Sequence, residues 1–435
     1  MTTQRIDPAT LQTAAGMPSI KMMNDSLMFT LKEKSRLAEL GKRVAEIAAL
    51  PVQQEKAKLW TAHNDLKTHE PLVFIDPENG WNECIPADTL ICATPMARVW
   101  EMCLLKQIYW FEVFKDDKVI EPYFNVPHSY TDSGWGVELK NEGGGRGGAY
   151  KIVQAIKDYE VDFPRVHYPE ITVDHAESEA VMELARDVFD GVLTVRQKTE
   201  WWWSLGMTNE FIRLRGLEGF MYDLIDQPEY VHKLMGLLCD GILKKLEFLE
   251  NNGYLSANTG GSYVGSGGFG YTGDLPAPGE KSIVTTADMW GFVESQETVS
   301  VSPQMYGEFV YPYHKLIAER FGLNCYGCCE AFALRWKYVR ELPRLRRVSA
   351  SPWENWDKLP ELLGSNYIAS IKPKPAHLAQ RAINEDVVRA ELKKATALAK
   401  DCVVEIIMKD NNTLGGNPAN ASRWVEIARE EIAKA

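Results

Sequence analysis

The sequence lacks the features that mark membrane, secreted and nucleic-acid-binding proteins. None of its 435 residues lie in an uninterrupted apolar stretch of about 20, the length that a bilayer-spanning helix requires. Residues 1–8 show no signal-peptide pattern, and no long basic tract offsets the formal net charge of -12. We therefore expect a cytoplasmic protein that binds neither nucleic acids nor membranes.

Cysteine is also scarce, with eight residues spread along the chain. This number is too small for the disulfide framework of a secreted protein and agrees with a reducing compartment. Three of the eight nevertheless lie close together, Cys325, Cys328 and Cys329, directly before Glu330 and after a strand-like apolar segment. Thiolates are nucleophiles and ligands for soft metals, so the cluster predicts a chemical site, although free cysteine is also a common core residue.

The order of helical and apolar segments predicts an α/β fold. Leu37, Leu40, Val44 and Ile47 are spaced three and four residues apart, so residues 1–70 are expected to form an amino-terminal helical extension. After this extension, short apolar segments alternate with amphipathic helical stretches, which is typical of a parallel sheet.

Eight strands are expected, and this number favours a closed barrel over an open sheet. They are predicted at 71–75, 119–126, 193–196, 283–290, 323–326, 345–350, 367–371 and 403–408. We therefore expect a (β/α)8 TIM barrel over residues 71–435.

Barrel enzymes carry their chemistry on the loops that follow the carboxyl ends of the strands. Polar residues in these loops are therefore the candidates, with a carboxyl or phenol as general acid and a cation as substrate anchor. The catalytic candidates are Glu294, Tyr326, Glu330 and Lys372. The candidates for substrate binding are Asn125, His128 and Arg196.

Tryptophans follow several of the same strands. Residues 201–203 are three consecutive tryptophans, and because neighbouring side chains point in different directions, at least one is expected to line a cavity or cover a neighbouring surface. We expect Trp202, Trp290 and Trp353 to form the apolar wall of a small-molecule pocket. The alternative, that these rings only cap the barrel and pack helices, stays open. The glycine-rich segment 259–273 is expected to be a mobile wall of the same pocket.

The segment 288–321 carries a strand, a Ser302-Pro303 helix start and a later Pro-Tyr pair. This arrangement resembles the uroporphyrinogen decarboxylase superfamily. The next segment, 323–330, stands where that superfamily has a His-x-Cys-Gly strand end, and 219–236 resembles its helix before the middle of the barrel. The resemblance covers roughly residues 185–420 and implies a barrel enzyme, either a tetrapyrrole decarboxylase or a corrinoid-dependent methyltransferase.

The end of the first predicted strand argues against the porphyrinogen decarboxylases, because Asp76 and Glu78 would repel a polycarboxylate substrate. The resemblance then implies a methyltransferase that moves a methyl group from a small O- or N-methylated substrate to the cobalt of a corrinoid. The sequence has no Asp-x-His-x-x-Gly segment for cobalamin, so the corrinoid is expected on a partner protein. A decarboxylase or lyase on the same barrel and an inert binding protein stay open as alternatives.

Thiol-activating methyltransferases of this superfamily bind zinc through His-x-Cys and a later cysteine. Here Tyr326 stands in place of the histidine, and Lys409 and Asp410 stand in place of the later cysteine. A zinc ion is therefore expected to use a different ligand set, although neighbouring cysteine side chains are expected to diverge. The metal ligands proposed from the sequence are Glu294, Cys328 and Cys329. A homodimer would fit as well, but the sequence does not decide the oligomeric state.

Overall fold

The computed structural model describes residues 27–68, 70–143, 150–276 and 283–435. Its largest sheet contains six parallel strands, which are β1 Leu72–Ile75, β8 Trp290–Val293, β9 Leu323–Tyr326, β10 Leu345–Ala350, β11 Ile368–Ile371 and β12 Val403–Met408. They are arranged in the order β1-β12-β11-β10-β9-β8. A separate parallel pair is formed by β2 Tyr123–Val126 and β7 Thr194–Gln197.

These eight parallel strands correspond to the eight predicted ones, with one shift. The strand expected at 283–290 instead begins at Trp290, where its prediction ended. Two antiparallel pairs were not predicted, β3 Ser129–Asp132 with β6 Ile171–Asp174 and β4 Lys140–Gly143 with β5 Tyr150–Val153.

The backbone ladders of the described strands do not join the large sheet into a closed barrel. At the free edge of β1, the carboxylates of Asp117 and Asp116 accept hydrogen bonds from the backbone N–H groups of Val73, at 2.7 Å, and Ile75, at 3.0 Å. At the free edge of β8, the Asn258 side chain accepts from the backbone N–H of Trp290 at 2.8 Å and donates to its carbonyl at 2.9 Å. Side chains thus satisfy edge groups that would otherwise be open to another strand. The predicted α/β fold with a parallel sheet is confirmed, while closure stays a prediction.

Helices surround the sheets. The longer ones are α1 Leu31–Ala48, α2 Pro51–Asn64, α4 Pro95–Tyr109, α6 His175–Phe189, α7 Met207–Arg215, α8 Leu217–Asp226, α9 Pro228–Asn251, α10 Pro303–Phe309, α11 Tyr311–Ala318, α14 Glu385–Ala397 and α15 Ala419–Ile432. Single turns form α3 Trp81–Cys84, α5 Tyr159–Asp162, α12 Trp336–Val339 and α13 Leu359–Leu362. Among the described residues, no helix combines the length and the apolar character needed to cross a membrane.

Local signals account for where several helices begin. Thr30 and Glu33 form a reciprocal capping box at the start of α1. The Ser302 hydroxyl accepts a hydrogen bond from the backbone N–H of Met305 at 3.2 Å, and Pro303 is the first residue of α10. The Ser-Pro pair therefore starts a helix, as predicted.

The amino-terminal helices share the core of the rest of the chain. The apolar residues of α1 that the sequence placed on one face are buried, and α1 packs against α4 and α6. The end of α2 reaches the sheet, where the Arg347 guanidinium donates to the Asn64 side chain at 2.6 Å. The division of the chain at residue 70 remains a prediction.

Candidate functional site

Glu294 is the first residue after β8, and its side chain is buried. Its carboxyl group accepts hydrogen bonds from the Ser204 hydroxyl, at 3.3 Å, and from the backbone N–H of Gln296, at 3.1 Å. Gly206 permits this arrangement, because a Cβ atom at that position would lie 2.2 Å from the backbone oxygen of Glu294. The loop after β7 and the end of β8 are thus in direct contact at this carboxyl group.

The surroundings of Glu294 favour its protonated form. Burial raises the pKa of Glu294 well above its usual value, and the nearby charges of Glu297 and Glu330 raise it further. Glu297 itself accepts hydrogen bonds from Thr208, at 2.7 Å, and Asn209, at 3.0 Å. Glu294 can therefore act as a proton donor at neutral pH.

Glu294 lines a cavity of about 520 Å³ whose wall includes four tryptophans. All three consecutive tryptophans, Trp201, Trp202 and Trp203, lie in its wall, as does Trp135 from the loop after β3. The volume and the apolar lining are those of a small-molecule site. The sequence predicted that at least one of the three tryptophans lines a cavity or covers a neighbouring surface, and in the structure all three line this cavity.

Sequence reasoning missed the charged residues of this cavity. Arg213 of α7 and Lys245 of α9 line it, and both are paired with carboxylates, Arg213 with Glu210 at 3.4 Å and Lys245 with Asp132 at 2.8 Å. The Glu210 carboxylate also accepts a hydrogen bond from the Trp135 indole at 3.0 Å. These residues lie on helices and on an unpredicted strand pair, so no strand-end signal in the sequence pointed to them.

Three other candidates for substrate binding lie on or next to the β2–β7 pair and not in the cavity wall. The Arg196 guanidinium donates to the Asn125 side chain at 3.1 and 3.0 Å and stacks on the Tyr123 ring. The His128 ring lies against Trp201, with 5.6 Å between ring centroids, and burial lowers the pKa of His128 to about 4. His128 is therefore neutral near pH 7 and contacts the cavity only through a tryptophan.

The two remaining tryptophan candidates have different environments. Trp290 is buried on β8, where its indole donates to the carbonyl of Gly270 at 3.0 Å and the Arg347 guanidinium lies over its ring. Trp353 follows β10 and is 74% exposed. Neither belongs to the lining of the 520 Å³ cavity.

Cys328 and Cys329 lie just beyond the carboxyl end of β9. Their side chains do not diverge as expected, because their Sγ atoms are only 3.7 Å apart. The preceding Gly327 has a φ of 88°, so the chain has left the strand conformation in which neighbouring side chains point to opposite faces. The hydrogen bond between the thiols and burial both raise the pKa of Cys328. The same hydrogen bond lowers the pKa of Cys329, against the opposing effect of burial.

This thiol pair meets part of the requirement for zinc. Two sulfur ligands of a tetrahedral zinc ion lie about 3.8 Å apart when each Zn–S bond is about 2.3 Å. A zinc site needs at least three protein ligands, however, and among the described residues no group of three His, Cys, Asp or Glu side chains could hold a metal ion. The proposed set of Glu294, Cys328 and Cys329 therefore does not form a complete site in this conformation.

Glu330 joins the ends of two strands. One carboxyl oxygen accepts the backbone N–H of Ser295 at 2.8 Å, and the other accepts the backbone N–H of Cys328 at 2.9 Å. Tyr326 is also buried, and its hydroxyl lies 3.2 Å from the Ser295 hydroxyl. Both candidate acids thus have partners within the protein, and burial raises the pKa of each.

The two lysines that follow β11 and β12 differ in their partners. Lys372 donates to the Ser370 hydroxyl at 2.5 Å, and burial lowers its pKa to about 8. Lys409 lies 3.6 Å from the carboxylates of both Glu78 and Asp410. Burial raises the pKa of Glu78 to about 7, against the opposing effect of the Lys409 charge.

The glycine-rich segment 259–273 is packed against the large sheet, and its mobility stays a prediction. Its residues from 264 to 270 are buried. Asn64 of α2 donates to the carbonyls of Phe269, at 2.7 Å, and Tyr271, at 2.6 Å. At the other end of the segment, the Ser266 hydroxyl donates to the Cys328 sulfur at 3.3 Å.

Comparisons with known proteins leave the family open. No model of a known protein family matches the sequence, and no curated protein does. Among solved structures, the chain is similar to a methyltransferase from Methanosarcina mazei, with a TM-score of 0.41 and 11% sequence identity over 76% of this chain and 85% of that one. A similarity at this level assigns neither an activity nor a ligand to this chain.

Proposed function

We propose that this protein is a methyltransferase that moves a methyl group from a small O- or N-methylated substrate to the cobalt of a corrinoid on a partner protein. The observation that carries the proposal is the position of Glu294, a buried carboxyl group with a raised pKa in the wall of an aromatic cavity. A perturbed acid in an apolar pocket is the usual form of a general acid.

The chemistry gives this acid a role. A methyl ether releases its methyl group slowly, because the leaving oxygen carries negative charge once the carbon–oxygen bond breaks. In the proposed step, the Co(I) electron pair forms the new bond to the methyl carbon, the carbon–oxygen electron pair stays on oxygen, and Glu294 gives that oxygen its proton.

The cavity wall favours an apolar or aromatic donor. Trp135, Trp201, Trp202 and Trp203 offer ring faces and edges for stacking. Trp203 is also 41% exposed, so it can contact both a donor inside the cavity and the edge of a corrin outside. The partner corrinoid protein would approach on this side of the molecule.

A decarboxylase or lyase is the alternative function. It would need positively charged side chains in the cavity that are free to bind a carboxylate. Arg213 and Lys245 line the cavity and could bind a carboxylate, but Glu210 and Asp132 already neutralise them. Arg196, which the sequence proposed as an anchor, is held by Asn125 away from the cavity wall. The inert binding protein remains the third alternative.

The test mixes purified protein with a Co(I) corrinoid protein and methoxylated aromatic compounds and follows the loss of the Co(I) absorption. We expect Glu294→Gln to lower kcat/KM by about 10² to 10⁴-fold, the usual contribution of a general acid. Wild-type activity should fall at alkaline pH as Glu294 loses its proton, and the residual activity of Glu294→Gln should not show this decline.

Glu297→Gln is the matched control, because it removes a neighbouring charge and leaves the acid in place. The Glu297 charge raises the pKa of Glu294, so this variant should stay active while its alkaline decline moves to lower pH. Equal rates for wild type and Glu294→Gln would contradict the role of the acid. Carbon dioxide release from a carboxylic substrate would favour the decarboxylase, and binding without turnover would favour the inert protein.

A further inference from the structure

We propose that Cys328 and Cys329 form a reversible disulfide with each other, which makes this pair a site of thiol oxidation. Their Sγ atoms are 3.7 Å apart, which is van der Waals contact. A disulfide bond of about 2.05 Å therefore requires the two sulfurs to approach by less than about 2 Å. This proposal is independent of the proposed methyl transfer.

A disulfide bond between two cysteines that are adjacent in sequence is strained and therefore easily reduced. Consecutive Cα atoms are about 3.8 Å apart, whereas disulfides usually join Cα atoms that are about 4.4 to 6.8 Å apart. Strained disulfides are the labile ones, which exchange readily with small thiols. The pair therefore suits a reversible change better than a permanent crosslink.

Oxidation of the pair takes two steps, and the exposure of the two thiols decides which of them reacts first. Cys329 is only partly buried, whereas Cys328 is buried, so Cys329 meets a small disulfide first. The Cys329 thiolate attacks one sulfur of glutathione disulfide and releases one glutathione thiolate. Cys328 then loses its proton and attacks the Cys329 sulfur, which releases the second glutathione. Two cysteine thiols are oxidised and one glutathione disulfide is reduced to two thiols.

The third cysteine of the cluster is held away from this exchange. Cys325 is buried on β9, with its sulfur 3.8 Å from a nitrogen of Arg347. The glycine-rich segment covers it, since a Cβ atom added at Gly265 would lie 2.9 Å from the Cβ of Cys325. Cys325 should therefore keep its thiol while the other two are oxidised.

The Cys328–Cys329 disulfide would form next to groups whose hydrogen bonds lead towards Glu294. The Cys328 sulfur accepts the Ser266 hydroxyl, and the Cys328 backbone N–H donates to Glu330. The other oxygen of Glu330 binds the backbone of Ser295, the residue after Glu294. Cys328 is therefore connected to the end of β8 through a single carboxyl group.

The test treats the reduced full-length protein with glutathione disulfide, quenches it in acid, alkylates the free thiols and digests it with trypsin. All three cysteines lie in the tryptic peptide 321–335. We expect this peptide to carry one alkyl group, on Cys325, with Cys328 and Cys329 joined, and dithiothreitol should restore three alkyl groups.

Single cysteine-to-serine variants distinguish this disulfide from the other possible oxidation products. Cys328→Ser should stop at a stable glutathione adduct on Cys329, Cys329→Ser should react slowly or not at all, and Cys325→Ser should behave as wild type. A stable adduct on Cys329 of the wild-type protein, or a bond between Cys325 and Cys328, would overturn the proposal. Circular dichroism of each variant shows that the fold is retained.

Discussion

Glu405→Gln should reveal a strongly stabilised charge in the described core. Glu405 lies on β12 and accepts hydrogen bonds from Nε and Nη2 of Arg347, at 2.9 and 3.0 Å. It also accepts the Ser370 hydroxyl, and the His63 ring lies 3.4 Å away. Burial alone would raise the pKa of Glu405, but the charge of Arg347 and hydrogen bonding from His63 outweigh it and lower the pKa from 4.5 to about 2.

The magnitude follows from this pKa. At about 1.4 kcal/mol per pKa unit, the ionised form contributes about 3 kcal/mol to the free energy of unfolding. Because the pKa is lower in the folded state, this contribution is complete above pH 4.5 and is lost as the pH falls from 4.5 towards 2. Glutamine cannot carry the charge and leaves Arg347 buried without its partner, a loss that typically costs about 3 to 5 kcal/mol.

Urea unfolding of wild type and Glu405→Gln at several pH values measures this contribution. The difference in the free energy of unfolding should be about 3 kcal/mol at pH 7 and should shrink below pH 4.5. Glu39→Gln is the control, because Glu39 is exposed and its pairing with Arg36 should contribute less than about 1 kcal/mol. A difference below 1 kcal/mol at pH 7, or one that does not change with pH, would refute the reasoning.

Two further substitutions test the contacts around the candidate acid. Gly206→Ala places a methyl group against the backbone of Glu294. We therefore expect the free energy of unfolding to fall by about 1 to 3 kcal/mol. The rate of methyl transfer should fall by more than this loss of stability accounts for. A Cβ atom at Gly236 in α9 would lie 3.9 Å from the Tyr313 ring, which is ordinary van der Waals contact, so Gly236→Ala should not destabilise the protein. Glu330→Ala leaves two buried backbone N–H groups unpaired, at about 1 to 3 kcal/mol each, and hydrogen exchange of the Ser295 and Cys328 amides should become faster. Unchanged exchange would contradict the bridging role of Glu330.

The sequence predicted most of the parallel strands because they are short and largely apolar segments. The strand at 323–326 and the strand at 403–408 begin and end where expected. The expected strand at 283–290 was displaced, because residues 286–288 form a turn capped by Thr285 and Asp288 and the strand starts only afterwards. A capping box inside an apolar segment was the signal that could have corrected this prediction.

The candidate site was only partly predictable, for a physical reason. The consecutive tryptophans indicated a cavity because their side chains must point in different directions. The rest of the wall, including Trp135, Arg213 and Lys245, comes from helices and from a strand pair far away in sequence. Which surfaces of those elements face each other depends on tertiary packing, and periodicity in one segment carries no information about it.

A glycine-rich composition, as in the segment 259–273, is compatible both with a mobile loop and with a closely packed one. Glycine permits motion, but it also permits close approach, and the contacts at Gly265, Gly267 and Gly268 fit close approach. A Cβ atom there would lie 2.8 to 2.9 Å from Cys325, Ile407 or Glu405, and all three glycines have positive φ. The segment therefore packs closely against β9 and β12. The tryptophan-lined cavity lies beside β8, with Glu294 in its wall.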